Sequence, residues 1–330
     1  MNPIIGNEEI LSTLFSSIRE NRVAGCYIIE GADGTGKLTI SRLFAASLCC
    51  PNRKENGQPC GVCHSCKNIF LNNYIDVMEV RPEEEGKRIS IGQIREMLSA
   101  THISATEGDW RVFIIDDSQN MKKEAQNALL KSIEEPSDKT VFLLLTNDKT
   151  KLLPTVRSRA VLLKTAPLSD QVLSLALKKT GYDKEDLDSI VLLSGGSLGK
   201  ALSLIKDPGA LLVQKKALDY FKAIMNGAGF TGLCGIFPPA TTTRSDLAAF
   251  LPMVKSGLRD LLLKKTDPFA RCSFFTDEKF ALDLSSITSE ARAVALFDLC
   301  EKLSLALEQN VNVFSAVSNL HLTAQNLTRS

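Results

Sequence analysis

Eight consecutive residues, Gly31-Ala32-Asp33-Gly34-Thr35-Gly36-Lys37-Leu38, have the spacing of a loop that cradles phosphate. Glycines in such a loop let backbone N–H groups close around the phosphates. The lysine reaches the terminal phosphates, and the residue after it supplies a hydroxyl to Mg²⁺. Here that residue is Leu38, which has no hydroxyl. Gly31, Gly34, Thr35, Gly36 and Lys37 thus form a phosphate site that lacks its metal ligand. Thr39 could lend a hydroxyl, but one residue further along a helix lies about 100° round the axis, which disfavours the rescue. The pattern predicts a nucleotide-binding architecture used for something other than efficient hydrolysis.

Two further constellations carry chemistry. Val112-Phe113-Ile114-Ile115-Asp116-Asp117 reads as an apolar strand ending in carboxylates, and in P-loop ATPases the first such acid, here Asp116, holds Mg²⁺. Cys60-Gly61-Val62-Cys63-His64-Ser65-Cys66, preceded by Cys49-Cys50, supplies enough thiolates for a tetrahedral site. The C-x₂-C-x₂-C run is also part of a ferredoxin cluster motif, but that motif needs a cysteine where Phe70 stands. The assignment is structural zinc on Cys50, Cys60, Cys63 and Cys66, with His64 as the substitute ligand. Residues 52–59 are polar and have no core to bury, so the metal would hold this excursion together.

Between and beyond these groups, apolar runs at Cys26–Ile29, Val77–Val80, Val112–Ile115, Val141–Leu145 and Val161–Leu163 alternate with helical patterns. Such alternation is that of a parallel α/β sheet, which binds ligands at the carboxyl ends of its strands. The first run leads directly into the phosphate loop, with a helix expected over Thr39–Cys49. Gln126-Asn127-Ala128-Leu129-Leu130-Lys131-Ser132-Ile133-Glu134-Glu135-Pro136 is a helix with its stop signal attached, since a proline disfavours the helical conformation just before it. A strand ending at Asn147 follows, then Leu152-Leu153-Pro154-Thr155-Val156-Arg157-Ser158-Arg159. Its two arginines are either a solvated helix end or include a finger that stabilises charge on a phosphate in transition.

Strand signals stop after Pro167. A helix capped by Ser169 should run to about Thr180 and end at Gly181. Two short helices should flank Gly195-Gly196 before Asp207-Pro208-Gly209 breaks the chain. Beyond it, Leu247, Leu251, Val254, Leu258, Leu261 and Leu296, Leu299, Leu303, Leu307 form stripes at helical spacing, read as the core of an all-helical bundle. Cys26, Cys234, Cys272 and Cys300 sit alone in apolar surroundings and are expected in cores.

The chain has 330 residues, Lys+Arg 39 against Asp+Glu 38, and 44% apolar residues. A formal charge of +1 excludes the global basic footprint of a protein that binds nucleic acid alone, so any DNA contact is local or shared. The N-terminus has no basic stretch followed by an apolar one, and no run approaches 18 apolar residues, so a cytoplasmic location without membrane contact is expected. Nine cysteines in so long a chain fit a metal site in a reducing compartment better than a disulfide framework.

The order of phosphate loop, cysteine insertion, Ile-Ile-Asp strand, Asn-Ala-Leu-Leu-Lys…Glu-Glu-Pro helix and Leu-Pro-Thr…Ser-Arg segment resembles the clamp-loader branch of the AAA+ ATPases. The resemblance covers about residues 3–205 and, more weakly, the C-terminal bundle, where Asn310-Val311-Asn312 is similar to the family's last helices. It implies an AAA+ domain at 1–166 with the zinc module at 50–66, a three-helix lid at 167–208 and a helical collar at 209–330. It further implies that Asn147 is the first sensor and that Arg159 is a finger reaching a neighbour's nucleotide, with Ala160 where the family's motif has cysteine. Asp117 stands where the family has a water-polarising glutamate and is shorter by one methylene.

The departures separate subunit types. The family's motor subunit, tau or gamma, carries Ser or Thr after the loop lysine and Gly-Ser-Leu-Arg in its lid, where this chain has Gly196-Ser197-Leu198-Gly199. Leu38 and Gly199 therefore imply weak or absent hydrolysis and weaken the expectation that ATP with Mg²⁺ binds. The implied role is a non-motor subunit. It would join tau/gamma motor subunits and a delta subunit in a pentameric loader that places a sliding clamp on primed DNA. The alternative is an active motor-type ATPase using Thr39. A nucleotide kinase is a poor third, having no use for the bundle or the Ser-Arg segment.

Overall fold

The computed structural model describes residues 4–83, 88–100, 105–182, 184, 186–206, 209–307 and 311–327. They gather into two compact units, one running to Ser169 and taking in Ser197–Gly199, the other comprising Asp170–Gly196 and the residues from Lys200 on.

The first unit is a five-stranded parallel sheet in the order β2-β3-β4-β1-β5, with β1 at Cys26–Glu30, β2 at Val77–Val80, β3 at Arg111–Ile115, β4 at Thr140–Thr146 and β5 at Val161–Lys164. The central strands are apolar on both faces because both are covered. Tyr27, Ile29, Val112, Ile114, Val141, Leu143 and Leu145 face one core, shared with Leu14 of α1 (Glu8–Arg19), Phe44 of α2 (Lys37–Cys49) and Ile69 of α3 (His64–Phe70). The alternate residues Cys26, Ile28, Phe113, Ile115, Phe142 and Leu144 face the other. They meet Ile94 of α4 (Ile91–Ser99), Leu129 of α5 (Lys123–Glu134) and Val156 of α6 (Pro154–Arg157). The period of two in the strands thus becomes two separate cores.

Register decides which residues share the functional edge. Glu30 of β1 stands opposite both Thr146 of β4 and Lys164 of β5, and Ile115 of β3 opposite Leu144. The residues that follow these strands, Gly31, Asn147, Thr165 and Asp116, therefore emerge together at the carboxyl edge, where β1 lies between strands that come later in the chain. Helix α2 begins at Lys37 rather than at Thr39, because Gly36, with φ +91°, turns the chain directly into it.

The second unit is helical, with α7 (Asp170–Lys179), α8 (Leu187–Ser194), α9 (Leu198–Lys206), α10 (Gly209–Met225), α11 (Phe230–Ile236), α12 (Arg244–Thr266), α13 (Glu278–Ile287), α14 (Glu290–Leu307) and α15 (Val313–Ala324). The start of α9 lies with the first unit. Asp207, Pro208 and Asn310, part of the expected chain break and of the expected final motif, lie outside the described residues.

The stripe on α12 is core: Leu247, Leu251, Val254, Leu258 and Leu261 are all fully buried, against Tyr220 and Phe221 of α10 and Leu296 and Leu303 of α14. Gly257 admits the Phe221 ring, since a Cβ there would lie 2.3 Å from the ring carbon Cε2. Cys26, Cys272 and Cys300 are buried as expected, whereas Cys234, on the short α11, is only half-buried. No helix among the described residues is long and apolar enough to cross a membrane.

Candidate nucleotide and metal sites

The phosphate loop is bonded to its own chain. Lys37 is 7% exposed, and its Nζ donates to the carbonyl oxygens of Gly31 at 2.7 Å and Ala32 at 3.0 Å, with Asp33 Oδ1 at 3.6 Å. Thr35 donates to Ala32 O at 2.7 Å and meets Thr165 Oγ1 at 2.9 Å. A Cβ on Gly31 would fall 1.7 Å from that Thr165 oxygen, so glycine is required for β5 to run beside the loop. Asn7 ties both segments, donating to Thr35 O at 3.3 Å and accepting from Ala166 N at 3.0 Å.

The start of α9 closes over the same loop. Ser197 Oγ donates to Asp33 O at 2.9 Å, and the Gly199 N–H donates to Gly34 O at 3.0 Å. A Cβ on Gly199 would lie 2.8 Å from Gly34 Cα and 3.0 Å from Gly34 O, both backbone atoms. A residue with a side chain at position 199 would force the two backbones apart, so glycine is what permits this approach. Leu38 packs its side chain against the core beneath α2, while Thr39 is exposed.

Asp116 follows β3 and is fixed by its N–H donating to Val80 O at 2.8 Å. Burial pushes its carboxyl above the ordinary range and neighbouring Asp117 adds to this, while Lys37 pulls it down. Asp117 adopts a left-handed conformation, φ +52°, and its Oδ1 accepts from Gln119 Nε2 at 2.8 Å. Gln119 Oε1 in turn accepts from Asn147 N at 3.3 Å, so one side chain bridges the second acid and the segment after β4. Arg42, one turn beyond Leu38 on α2, makes a two-pronged pair with Glu79 of β2 at 2.5 and 2.7 Å.

Arg159 lies before β5, at the end of the strand remote from the phosphate loop. With about 3.3 Å of rise per residue, β5 separates it from Thr165 by roughly 10 Å or more. It is exposed, and its Nη2 meets Glu134 Oε1 at 2.5 Å while Nη1 donates to Thr155 O at 3.0 Å and Ser158 Oγ at 3.3 Å. Arg157 ends α6 and is half-buried. The expected site residues thus divide into a cluster at the carboxyl edge and one arginine apart from it.

The four cysteines do converge. Cys50 ends α2, Cys63 caps α3, and the sulfur atoms of Cys50, Cys60, Cys63 and Cys66 all lie within 4.8 Å of one another. Cys50–Cys63 and Cys60–Cys66 are 3.9 and 4.0 Å apart. The edge of a tetrahedron with metal–sulfur bonds of about 2.3 Å is about 3.8 Å, so these residues fit a four-thiolate metal ion. Backbone N–H groups of Cys60, Cys63 and Cys66 point to the sulfurs of Cys50, Cys60 and Cys63 at 3.3 to 3.5 Å, as suits thiolates. N–H groups of Val62 and Cys63 hold the Cys60 thiol down to about 6, while burial pushes the thiols of Cys50 and Cys66 up, so without a cation to offset that burial they stay protonated. His64 is exposed and turns instead to Asn68 and Glu107, so it does not join the cluster.

Sequence reasoning missed Asn7, Gln119 and Thr165, and it named Ser197 only as part of the Gly-Ser-Leu segment, not as a partner of the phosphate loop. Thr165 is a short polar residue far along the chain from the loop it touches, and nothing in its local pattern marks it. Gln119, two residues past the acidic pair, had a positional signal.

The family described as DNA polymerase III, delta subunit, matches residues 6–169. The DNA polymerase III subunit tau/gamma of Haemophilus influenzae is 31% identical over 207 residues, 61% of this chain and 30% of that protein. The DNA polymerase III subunit delta' of Pseudomonas aeruginosa is 35% identical over 177 residues, 53% of each chain. This chain thus spans about a third of the tau-type relatives' length. A solved gamma subunit-related protein from Thermotoga maritima shares the fold, with a TM-score of 0.51 at 18% identity over 97% of this chain and 99% of that one.

Proposed function

Through residues 6–169 the chain belongs to the clamp-loader family of DNA polymerase III subunits, and from that premise we propose that it is the non-motor, delta prime-like subunit of the loader. The observation that carries this reading is the phosphate loop bonded to its own chain. Lys37 is engaged by Gly31 and Ala32, the half-buried Leu38 packs against the core, and Gly199 lies against Gly34. ATP with Mg²⁺ would have to displace the start of α9 and would still lack a hydroxyl ligand. The subunit assembles and does not turn over.

Arg159 acts on a neighbouring motor subunit. Its separation from its own phosphate loop by the length of β5, and its exposure, support a role in trans. The division into an AAA+ domain at 1–166, a lid at 167–208 and a collar at 209–330 belongs to the same proposal. So do a cytoplasmic location and partnership with tau/gamma and delta subunits, sliding clamp and primed DNA. Zinc on Cys50, Cys60, Cys63 and Cys66 closes its coordination sphere with four protein ligands, which leaves no catalytic position and makes the module structural.

The test is ATP turnover. The isolated chain should hydrolyse ATP no faster than its Lys37→Ala variant; clear Lys37-dependent turnover would mean an active tau/gamma-type motor. In the loader reconstituted with motor subunits, Arg159→Ala should leave assembly intact and abolish fast turnover at one site. Such fingers are worth about 10³- to 10⁵-fold at their own site in GTPases. Arg157→Ala is the control and should do much less. Wild-type, clamp-stimulated turnover with Arg159→Ala would reduce the chain to a scaffold.

A further inference from the structure

The guanidinium of Arg159 is held on two sides, by Glu134 on Nη2 and by Thr155 O and Ser158 Oγ on Nη1. Glu134 is the last residue of α5. A carboxylate there faces the negative end of the helix dipole, a position that favours cations, so Glu134 does nothing for the helix that carries it. Lys131 already supplies the cation that the last turn of α5 prefers. What Glu134 does meet is Arg159.

Resting on the trans-acting role proposed for Arg159, we infer that Glu134 is the positioning residue that sets this finger before a partner's nucleotide arrives. An exposed arginine has a long side chain with many rotamers, and freezing it at the moment of reaction would add to the barrier. Anchoring the planar fork through both terminal nitrogens removes that cost beforehand. The three contacts commit three of the guanidinium's five donors, so a phosphate can be met without releasing Glu134. Because a finger acts on charge that develops in the transition state, ordering it raises kcat and leaves KM unaffected.

The experiment uses the loader reconstituted with its motor subunits, followed in pre-steady-state ATP turnover. The phase that Arg159→Ala removes should slow roughly 2- to 10-fold with Glu134→Ala, the range expected for immobilising one flexible side chain. KM for ATP should stay unchanged, and so should the melting temperature, since an exposed pair at a helix C-terminus contributes little stability. Glu134→Gln, whose amide oxygen still accepts from Nη2, should recover most of the rate. In the Arg159→Ala background, Glu134→Ala should add nothing. Turnover unchanged or faster with Glu134→Ala, or a further loss in the double variant, would overturn the inference while leaving the finger in place. Wild-type turnover with Arg159→Ala would remove the finger, and this inference with it.

Discussion

Replacing Gly199 by alanine tests whether the start of α9 seals the phosphate loop. The added Cβ would lie 2.8 Å from Gly34 Cα, and ordinary contact begins near 3.4 Å, so the two backbones must part by about half an ångström. That movement takes the Gly199 N–H···O Gly34 bond from 3.0 Å to the limit of a useful hydrogen bond. Ser197 Oγ···Asp33 O, two residues away, is strained by the same shift. Forcing a methyl into a packed contact costs about 1–3 kcal/mol, and a lost hydrogen bond of this kind accounts for about 0.5–1.5 of it. Because the contact is local, the loss should appear as easier local opening. Amide hydrogen exchange at residues 33–36 and at position 199 should accelerate roughly 5- to 150-fold, with the β-strand core unaffected. Ser197→Ala should move the same amides less. Unchanged exchange in Gly199→Ala would refute the seal, because the methyl would then have been absorbed without parting the segments.

Other outcomes can be measured on the isolated chain. Metal analysis should find about one zinc per chain, lost when Cys63 or Cys66 becomes serine, with residues 50–66 becoming protease-sensitive while the α/β core holds; an iron–sulfur absorption band would refute the assignment. His321, fully buried, meets Tyr220 Oη at Nδ1 and Phe237 O at Nε2, each at 2.8 Å, and burial lowers its pKa below 6.5 against the pull of the Phe237 carbonyl. The folded state therefore binds this proton less readily than the unfolded one: the stability is complete above about pH 6.5 and declines as pH falls below it. Denaturant midpoints at pH 8 and pH 5.5 should differ, and less so in His321→Gln; an equal difference in the variant would clear His321 of the effect. Gly257→Ala should destabilise by about 1–3 kcal/mol, because the Phe221 ring has to move. A melting temperature equal to wild type would show that the ring gives way freely.

Much of the architecture was readable in the residues because it rests on local periodicity. The apolar runs Val112–Ile115 and Val141–Leu145 fall within a residue of β3 and β4, since a strand buried on both faces leaves a short continuous run bounded by polar turns. The stripe Leu247 to Leu261 is core because spacing of three and four places side chains on one face of a helix. The convergence of the four cysteines was legible from their spacing, which is that of a four-thiolate site.

Tertiary structure alone decided what meets the phosphate loop and the acidic pair. That Gly199 lies against Gly34, that Thr165 excludes a side chain at Gly31, and that Gln119 links Asp117 to the segment after β4 are meetings of residues remote in the chain or unmarked in type. Sequence periodicity reports which face of an element is buried, not what approaches it. Cys234 failed the local reading for a related reason: apolar neighbours in sequence do not bury a residue on a short helix with one face outward. Arg159 and Glu134 show both halves together. The Glu-Glu-Pro and Ser-Arg segments were legible as helix ends, but the ion pair between them exists only because the chain, after running along β4, returns through residues 147–158 to the strand edge where α5 ended.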